Sequence, residues 1–220
     1  FERLGAVPKD GMITVYNGVD LAKFNPKSKK NSLFLNLDLD PHTRLFIAIG
    51  RFHEAKDYPN LIQGIKTLKV ELNCENMPKL LIVGDGEQRG QIEQLIKELG
   101  LESDILLLGR RSDIEVLLSL SQFFVLSSKY EGLPTVVIEA MACGTFVIAT
   151  DCGGSAEIMG DTGILVPPQN SEALAQALNQ AVNKTALEIQ ENNLKARQRV
   201  EELFSLEKSV ENWLKIYRNE

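Results

Sequence analysis

The chain is poor in cysteine and histidine. Its three cysteines, Cys74, Cys143 and Cys152, include no CxxC pair, and its two histidines, His42 and His53, form no HxxxH pair. An odd number of thiols without paired spacing argues against a disulfide framework and against a zinc site. The sequence also lacks a GxSxG elbow, so it gives no support to metallohydrolase or serine-hydrolase chemistry. We therefore expect a protein of the reducing cytoplasm without a zinc site.

An excess of positive charge and long apolar runs are also missing. The 24 Lys and Arg residues against 30 Asp and Glu give a net charge of −6, whereas nucleic-acid binding usually comes with a basic balance. No apolar stretch approaches the ~20 residues of a membrane-spanning helix, because the longest, residues 133–149, is broken by Pro134, Glu139 and Gly144. We expect no nucleic-acid partner and no membrane span.

The chain begins with Phe1 and shows no signal-peptide pattern, so we expect a piece of a longer protein.

What the chain does have is a regular alternation of short apolar runs and helical patterns. Its 220 residues are 44% hydrophobic and 25% charged, which suffices to bury a core without disulfides. The apolar runs predict strands at residues 12–16, 45–49, 79–83, 105–108, 123–126, 146–149 and 164–166. Because several of these runs are continuously apolar, we expect strands that are covered on both faces.

Helical spacing follows most of these runs. Leu61, Ile62, Ile65 and Leu68 share one helical face, and Ser171 is suited to cap a later helix. The alternation predicts an α/β fold with a doubly wound, Rossmann-like parallel sheet. We expect one such domain over residues 1–220, with residues 171–220 as its C-terminal helices. Ligands bind beyond the carboxyl ends of the strands in such sheets, so the loops after the strands are the candidate site.

The most informative loop opens the segment EGLPTVVIE at residues 131–139, which we call the clamp. It follows the predicted strand at residues 123–126 and begins a helix. Pro134 suits the first helical turn, and Gly132 lets the backbone approach a ligand closely. Free N–H groups and the positive end of a helix favour an anionic phosphate. The clamp therefore predicts a site for a phosphate-bearing ligand.

Glu139 is the unusual residue of the helix that the clamp begins. Residues 136–142 are otherwise apolar, as in a buried helix. A carboxylate in such a place is costly without a partner, and a ribose diol offers two hydroxyl donors. The alternatives are an ion pair with a neighbouring helix for Glu139 and a solvated turn for Glu131. The joint spacing of the two glutamates favours binding.

A second loop, residues 50–57, carries two cations directly after the predicted strand at residues 45–49. Arg51 can form forked hydrogen bonds with phosphate oxygens, and Lys56 adds a point charge. The two could hold a leaving diphosphate without a metal ion. The alternative is that the two cations are surface charges paired with Glu54 and Asp57. This loop taken alone favours that alternative.

Two further motifs match known signatures less well. Residues 84–90, GDGEQRG, nearly fit the dinucleotide fingerprint GxGxxG, but the third glycine comes one place late. We interpret them as a tight strand-to-helix turn that could line a nucleotide site. Asp38 and Asp40 form a DxD, but they precede a predicted strand rather than follow one. This position favours a loop over a metal site.

Together these motifs resemble the large family of retaining glycosyltransferases with two Rossmann-like domains, family 4 of the GT-B type. The resemblance extends over about residues 13–182, and its specificity lies in the order and spacing of the motifs. The matching pieces are Asn17-Gly18-Val19-Asp20, Gly50-Arg51 with Lys56, Val83-Gly84-Asp85-Gly86, Gly109-Arg110, the clamp, Cys143-Gly144, Gly153-Gly154 with Glu157, and Gly163 with Leu165-Val166-Pro167.

The resemblance implies a role for each candidate residue. Arg51 and Lys56 would bind the donor diphosphate and, with Glu131 holding sugar hydroxyls, form the catalytic set. Glu139 would hold the ribose diol, and the turn at residues 109–111 would lie beside the base. The donor-binding residues that the resemblance implies are Gly50, Arg51, Lys56, Gly109, Arg110, Gly132, Leu133 and Glu139.

The implied reaction moves a hexose from a UDP- or GDP-sugar to an acceptor, as in polysaccharide biosynthesis. The anomeric configuration is retained, and no metal or other cofactor takes part. The family places an N-terminal acceptor-binding domain before the donor domain, and this chain starts near the junction. We therefore expect donor binding without efficient transfer, and final helices that either pack against the other domain or form ordinary helical cover. The implied location is cytoplasmic, with membrane contact through the other half left open.

Three alternatives remain open. An epimerase of similar fold should release free nucleotide from a UDP-sugar without an acceptor, and a phosphorylase should require inorganic phosphate. A non-enzymatic dinucleotide-binding module would instead use the turn at residues 84–90. The late third glycine of that turn argues against the module. Fold alone does not decide among them, because doubly wound sheets serve many chemistries.

Overall fold

A six-stranded parallel sheet forms the centre of the computed structural model, which describes residues 14–26, 37, 39–40, 42–72 and 77–218. The strand order in the sheet is β3-β2-β1-β4-β5-β6. The strands are β1 (Leu45–Ile49), β2 (Lys79–Val83), β3 (Ile105–Gly109), β4 (Phe123–Leu126), β5 (Phe146–Thr150) and β6 (Ile164–Val166). The order runs outward in both directions from β1 and β4, which is the doubly wound arrangement.

Helices follow the strands and end the chain. A single 3₁₀ turn at Glu54–Lys56 precedes the first α-helix. The helices are α1 (Tyr58–Glu71), α2 (Arg89–Glu98), α3 (Ile114–Leu120), α4 (Thr135–Ala142), α5 (Ser155–Met159), α6 (Ser171–Val182), α7 (Ala186–Leu203) and α8 (Leu206–Arg218). The predicted α/β fold and its helical C-terminus are confirmed.

Both faces of the sheet are buried, as the continuous apolar strands predict. In β1, Leu45 and Ile47 pack into the core beneath α3, α4, α5 and α7, whereas Phe46 and Ala48 pack into the core beneath α1, α2 and α6. The alternation follows from the period of two in a strand. The sheet is thus a central layer that is covered on both faces, and a site can form only in the loops at the ends of its strands.

Four predicted strands have the predicted bounds, and β3 and β5 each extend one residue further, to Gly109 and Thr150. The predicted strand at residues 12–16 is wrong where the structure describes it, because residues 14–16 join no sheet. Residues 12 and 13 lie outside the described part. The backbone here pairs with the α7–α8 junction instead: Val19 N donates to Phe204 O at 2.8 Å, and the Ser209 hydroxyl donates to Tyr16 O at 2.8 Å.

The parallel register brings the carboxyl ends of the central strands to one edge. Ile49 pairs with Val83 across β1 and β2, and Phe46 pairs with Phe123 across β1 and β4. The loop after β1 therefore lies between the loop after β2 and the loop after β4. The three segments singled out in the sequence, residues 50–57, residues 84–90 and the clamp, meet at this edge.

Candidate functional site

Lys56 and Glu131 form the centre of the candidate site. Lys56 ends the 3₁₀ turn after β1, and Glu131 lies in the loop after the neighbouring strand β4. Lys56 Nζ is 2.5 Å from Glu131 Oε1, with 21% and 16% of the two side chains exposed. The buried Ser128 hydroxyl donates to the same carboxylate oxygen at 2.7 Å. The structure thus brings together two of the three predicted catalytic residues, 75 positions apart in the chain.

Further hydrogen bonds join the two loops that carry this pair. The Ser127 hydroxyl donates to Lys56 O at 2.8 Å, and Lys129 N donates to Ala55 O at 2.8 Å. Lys129 Nζ also lies 3.3 Å from Glu54 Oε1. Lys56 therefore pairs with the clamp rather than with Glu54, and the surface-charge alternative is wrong for Lys56.

Gly50 gives room to the stem of Lys56. A Cβ atom on Gly50 would lie 2.9 Å from Lys56 Cε, closer than carbon atoms approach. The Gly50 carbonyl accepts a hydrogen bond from the Tyr58 hydroxyl at 3.0 Å. Burial, and to a lesser extent the charge of Glu131, raises the pKa of Tyr58, so its hydroxyl stays protonated and donates. The absence of a side chain at Gly50 thus leaves space for Lys56.

Arg51 stands apart from this centre. Its side chain is 72% exposed, and its Nη2 lies 3.2 Å from Glu87 Oε2, in the loop after β2. Glu87 also lies 3.8 Å from His53 Nε2. The Glu87 backbone N–H first, and Arg51 among the other causes, lower the pKa of Glu87, so this carboxylate is charged. In this state Arg51 is a surface charge with a partner, though the partner is not Glu54 or Asp57.

The glycines at residues 84 and 86 are explained by packing against the loop after β1. Gly84 has φ 141°, and a Cβ atom there would lie 1.9 Å from Gly50 O. A Cβ atom on Gly86 would lie 2.5 Å from Phe52 O. Phe52 N donates to Asp85 O at 3.0 Å. The two loops are thus in direct backbone contact, which requires glycine at both positions without any dinucleotide.

Gly109 and Arg110 lie at the end of β3, which β2 and β1 separate from the strand before the clamp, β4. Gly109 has φ +65°, and its carbonyl accepts a hydrogen bond from Gly84 N at 2.9 Å. Arg110 is exposed and has no hydrogen-bond or ion-pair partner among the described residues. Its neighbour Arg111 is held by Asp113 through contacts of 2.9 and 2.7 Å. The turn is open, and Arg110 is free to contact a ligand at this edge.

Gly132 and Leu133 are supported from below by the turn after β5. Gly154 N donates to Gly132 O at 2.8 Å, and Gly153 has φ +55° with no room for a Cβ, which would lie 2.2 Å from Glu131 O. A cavity of about 330 Å³ lies beside this support, lined by Gly132, Leu133, Gly153, Gly154, Glu157 and residues 14–17. The first turn of α4 has no side-chain cap: Val137 N donates to Pro134 O at 2.9 Å, and no side chain of the described residues uses the N–H groups of this turn.

Glu139 is a half-buried carboxylate on α4. Burial raises the pKa of Glu139 above its ordinary value, and the nearby charge of Lys23 offsets part of this effect. The neighbours Val137, Ile138, Ala140, Met141 and Ala142 are all buried. Within the described ranges, the carboxylate of Glu139 has no hydrogen bond and no ion pair, so the alternative of a salt bridge to a neighbouring helix finds no support there. An accessible, unpaired carboxylate is what a diol-binding site needs.

Two features of this edge were not predicted from the sequence: the Ser128 hydroxyl on Glu131 and the Glu87 carboxylate on Arg51. The sequence does carry a signal for Ser128, because two serines directly follow the apolar run of β4.

No group of three His, Cys, Asp or Glu side chains suited to a metal occurs in the described part of the chain. Asp38 of the DxD lies outside it. Among the described helices, none has the length and apolar character to cross a membrane.

Known proteins resemble this chain in sequence. Residues 30–201 match the family described as "Glycosyl transferases group 1". N-acetyl-alpha-D-glucosaminyl L-malate synthase of Bacillus anthracis is 32% identical over 214 residues, which are 96% of this chain and 54% of that protein. The chain thus spans about half the length of the curated relatives it matches.

Solved structures resemble it as well. Sucrose-phosphate synthase from Thermosynechococcus elongatus superposes with a TM-score of 0.76 at 31% identity, over 92% of this chain and 51% of that one. HepE from Anabaena in complex with UDP-glucose gives a TM-score of 0.83 over 96% of this chain and 58% of that one. At 23% identity the likeness to HepE concerns the fold alone.

Proposed function

This chain belongs to the group 1 glycosyl transferases, and we propose that it is the donor-binding domain of a retaining, GT-B type enzyme. It binds a nucleotide diphosphate sugar, whose hexose the whole enzyme transfers to an acceptor. The observation that carries the proposal is the cluster of Lys56, Ser128 and Glu131 between the loops after β1 and β4. These loops flank the point where the strand order reverses, the place where doubly wound sheets bind nucleotides.

The diphosphate is assigned to Lys56 and Arg51. When the bond between the sugar and the diphosphate breaks, negative charge grows on the departing oxygen, and fixed cations directed at that oxygen lower the barrier. Lys56 lies beside the place proposed for the diphosphate, where it pairs with Glu131 and where Gly50 leaves room for its side chain. Arg51 is on the same loop and would leave Glu87 for the diphosphate, since an ion pair between exposed side chains is weak. In this proposal the two cations stabilise the negative charge of the leaving diphosphate without a metal ion.

The sugar and the nucleoside are assigned to the clamp and to β3. Glu131 accepts hydrogen bonds from hexose hydroxyls, and the backbone N–H groups of Gly132 and Leu133 donate to the sugar or the phosphate. Glu139 accepts from the two ribose hydroxyls, which relieves the cost of its unpaired charge. The turn at Gly109 and Arg110 lies beside the base. The UDP-glucose that HepE holds on a similar fold is consistent with this class of ligand.

Transfer belongs to a longer protein in this proposal. The relatives are about twice as long as this chain, and we assign acceptor binding to an N-terminal domain that closes over the donor. The chain by itself then binds the donor but transfers inefficiently. A cytoplasmic location, with the other half at the inner face of the membrane, completes the proposal. The proposed location rests on the scarcity of cysteine.

Calorimetric titration with UDP-glucose, UDP-N-acetylglucosamine and GDP-mannose tests the proposal. We expect the chain to bind at least one of them, in EDTA as well as in Mg²⁺, and we expect Arg51→Ala and Glu139→Ala to weaken binding about tenfold or more, as the loss of a charge-assisted hydrogen bond does. Lys97→Ala, an exposed cation on α2 far from the edge, is the matched control. If the wild type binds none of the donors, or if both variants bind as well as the wild type, the assignment is wrong.

A further inference from the structure

The two oxygens of the Glu131 carboxylate have different surroundings. Lys56 Nζ and the Ser128 hydroxyl both contact Oε1, at 2.5 and 2.7 Å. Within the described residues, Oε2 receives no hydrogen bond, and the side chain keeps 16% of its surface exposed. We infer that Ser128 is a positioning residue that fixes Oε1 and thereby presents Oε2 to the hydroxyls of the donor hexose. This inference rests on the proposed function, because it names the atom of that site which meets the sugar.

Ser128 is itself held in place from the neighbouring strand. Its carbonyl accepts a hydrogen bond from the Thr150 hydroxyl, at the end of β5, at 2.7 Å. Both residues are fully buried. Ser128 lies two residues beyond β4, whose residues Phe123–Leu126 pair with β5, so the Thr150 bond ties this part of the loop to the sheet. The hydroxyl has a single hydrogen, and it is given to Glu131.

Lys56 alone would not hold the carboxylate once the donor is bound. Its ammonium group is also the proposed ligand of the diphosphate, and a Lys side chain has four rotatable bonds that let it follow the stronger anion. A neutral hydroxyl on a buried loop residue that is tied to the sheet has no such competing partner. The hydrogen bond from Ser128 therefore keeps Glu131 in one rotamer while Lys56 binds the diphosphate. A carboxylate that is fixed before binding loses less entropy when the sugar binds.

Comparing a nucleotide with its sugar conjugate separates this role from general stability. We measure the affinities of the wild type and of Ser128→Ala for UDP and UDP-glucose, or for GDP and GDP-mannose if the wild type prefers those. We expect Ser128→Ala to bind the sugar conjugate about tenfold more weakly, the cost of one charged hydrogen bond, and to bind the free nucleotide as the wild type does. Ser121→Ala is the matched control, because Ser121 is also a buried serine, whose hydroxyl donates to Leu117 O at 2.9 Å far from this edge.

A double-variant cycle identifies the carboxylate as the target. Adding Ser128→Ala to Glu131→Ala should cause no further loss of affinity for the sugar conjugate, since the group that Ser128 orients is already gone. If Ser128→Ala does not fold, Ser128→Cys, which keeps the size but donates weakly, and Thr150→Val, which loosens the Ser128 backbone, should show the same selective loss.

Different outcomes overturn different statements. Equal losses for nucleotide and sugar conjugate, no loss at all, or additive losses in the cycle would contradict the positioning role. So would a wild type that binds nucleotide and conjugate equally well. A wild type that binds neither the free nucleotide nor the sugar conjugate contradicts the proposed function itself. The behaviour of a Ser128 variant cannot contradict the proposed function.

Discussion

At the scale of single residues, the two glutamates of the clamp differ in how their charge is balanced. Glu131 has Lys56 and Ser128 on one oxygen, so it is an ordered acceptor. Burial raises the pKa of Glu139, and among the described residues the charge of Lys23 offsets part of this effect. A protein that needed only stability would not keep a carboxylate at this position of α4. Glu139 is thus a carboxylate whose burial costs stability, and in the proposed function its partner is the ribose diol.

Replacing Glu139 by glutamine should therefore stabilise the chain and weaken donor binding. A carboxyl group with a raised folded-state pKa contributes stability that is present at low pH and lost as pH rises through that pKa. At neutral pH the uncharged amide avoids this loss, so we expect Glu139→Gln to raise Tm by roughly 2–4 °C, the effect of about 1 kcal/mol in a domain of this size. Below about pH 4, where glutamate is protonated even when unfolded, the two proteins should unfold alike.

The same titration sets the pH dependence of donor affinity. The wild type should bind the donor less tightly as pH falls through the raised pKa of Glu139, because a protonated carboxyl accepts the diol less well. Glu139→Gln should bind weakly with no such dependence. Thermal scans and calorimetry at pH 4, 6 and 8 measure both effects. A lower Tm for Glu139→Gln at pH 8 would show that Glu139 has a stabilising partner.

Glu87 offers a second test, because it holds Arg51 away from the proposed diphosphate. Glu87→Gln removes the competing carboxylate, and we expect the donor to bind roughly two- to fivefold more tightly in low salt, the scale of an exposed ion pair. The gain should shrink in 0.5 M NaCl, where exposed charges are screened. Glu93→Gln, which breaks the similar exposed pair with Arg89 at 2.8 Å, is the control. Equal effects of the two variants would mean that Glu87 acts only through net charge.

At the scale of elements, the strands were predictable and the contacts between their loops were not. Continuous apolar runs mark β1 and β4, and the structure confirms both bounds. The pair of Lys56 and Glu131 depends on β1 lying next to β4, which no local pattern reveals, since the two residues are 75 positions apart. For the same reason the sequence could suggest a salt bridge for Lys56 within its own loop but not the real partner. The predicted strand at residues 12–16 shows the converse, because its described part, residues 14–16, joins no sheet.

The turn after β5 is the element on which the clamp rests. Ala at position 153 would combine a left-handed backbone, φ +55°, with a Cβ 2.2 Å from Glu131 O, so we expect Gly153→Ala to lower stability by about 1–3 kcal/mol. It should also abolish donor binding by moving Glu131. Gly90→Ala has open space and lies in α2, so its stability should be unchanged or up to about 1 kcal/mol higher. Urea denaturation and calorimetry measure both. Unchanged donor affinity in Gly153→Ala would mean that the turn does not support the clamp.

At the scale of the whole molecule, α8 has an apolar face that no other described part of the chain covers. No residue of α8 is buried, and its apolar side chains, Leu206, Val210, Trp213, Leu214 and Tyr217, are exposed. α6 and α7, by contrast, each bury an apolar face in the core. The sequence predicted these helices but left open whether they pack on another domain. The exposed stripe of α8 favours that role, because contiguous apolar surface usually marks an interface.

The proposal that α8 packs against an acceptor domain makes a last prediction about the longer protein. In that protein, Trp213→Glu should lower the rate of hexose transfer about tenfold or more, because a charge in the interface separates the two halves. The variant should leave donor affinity unchanged in this chain, since α8 lies outside the clamp and the loop after β1. Val70→Glu, which puts the same charge at an exposed apolar position on α1, should leave transfer intact. Radiolabelled transfer assays and hydrogen exchange measure the effect: amides of α8 should exchange more slowly in the longer protein than in this chain. Equal exchange in the two, together with full transfer by Trp213→Glu, would show that α8 faces solvent in the enzyme and that the acceptor half is held by other surfaces.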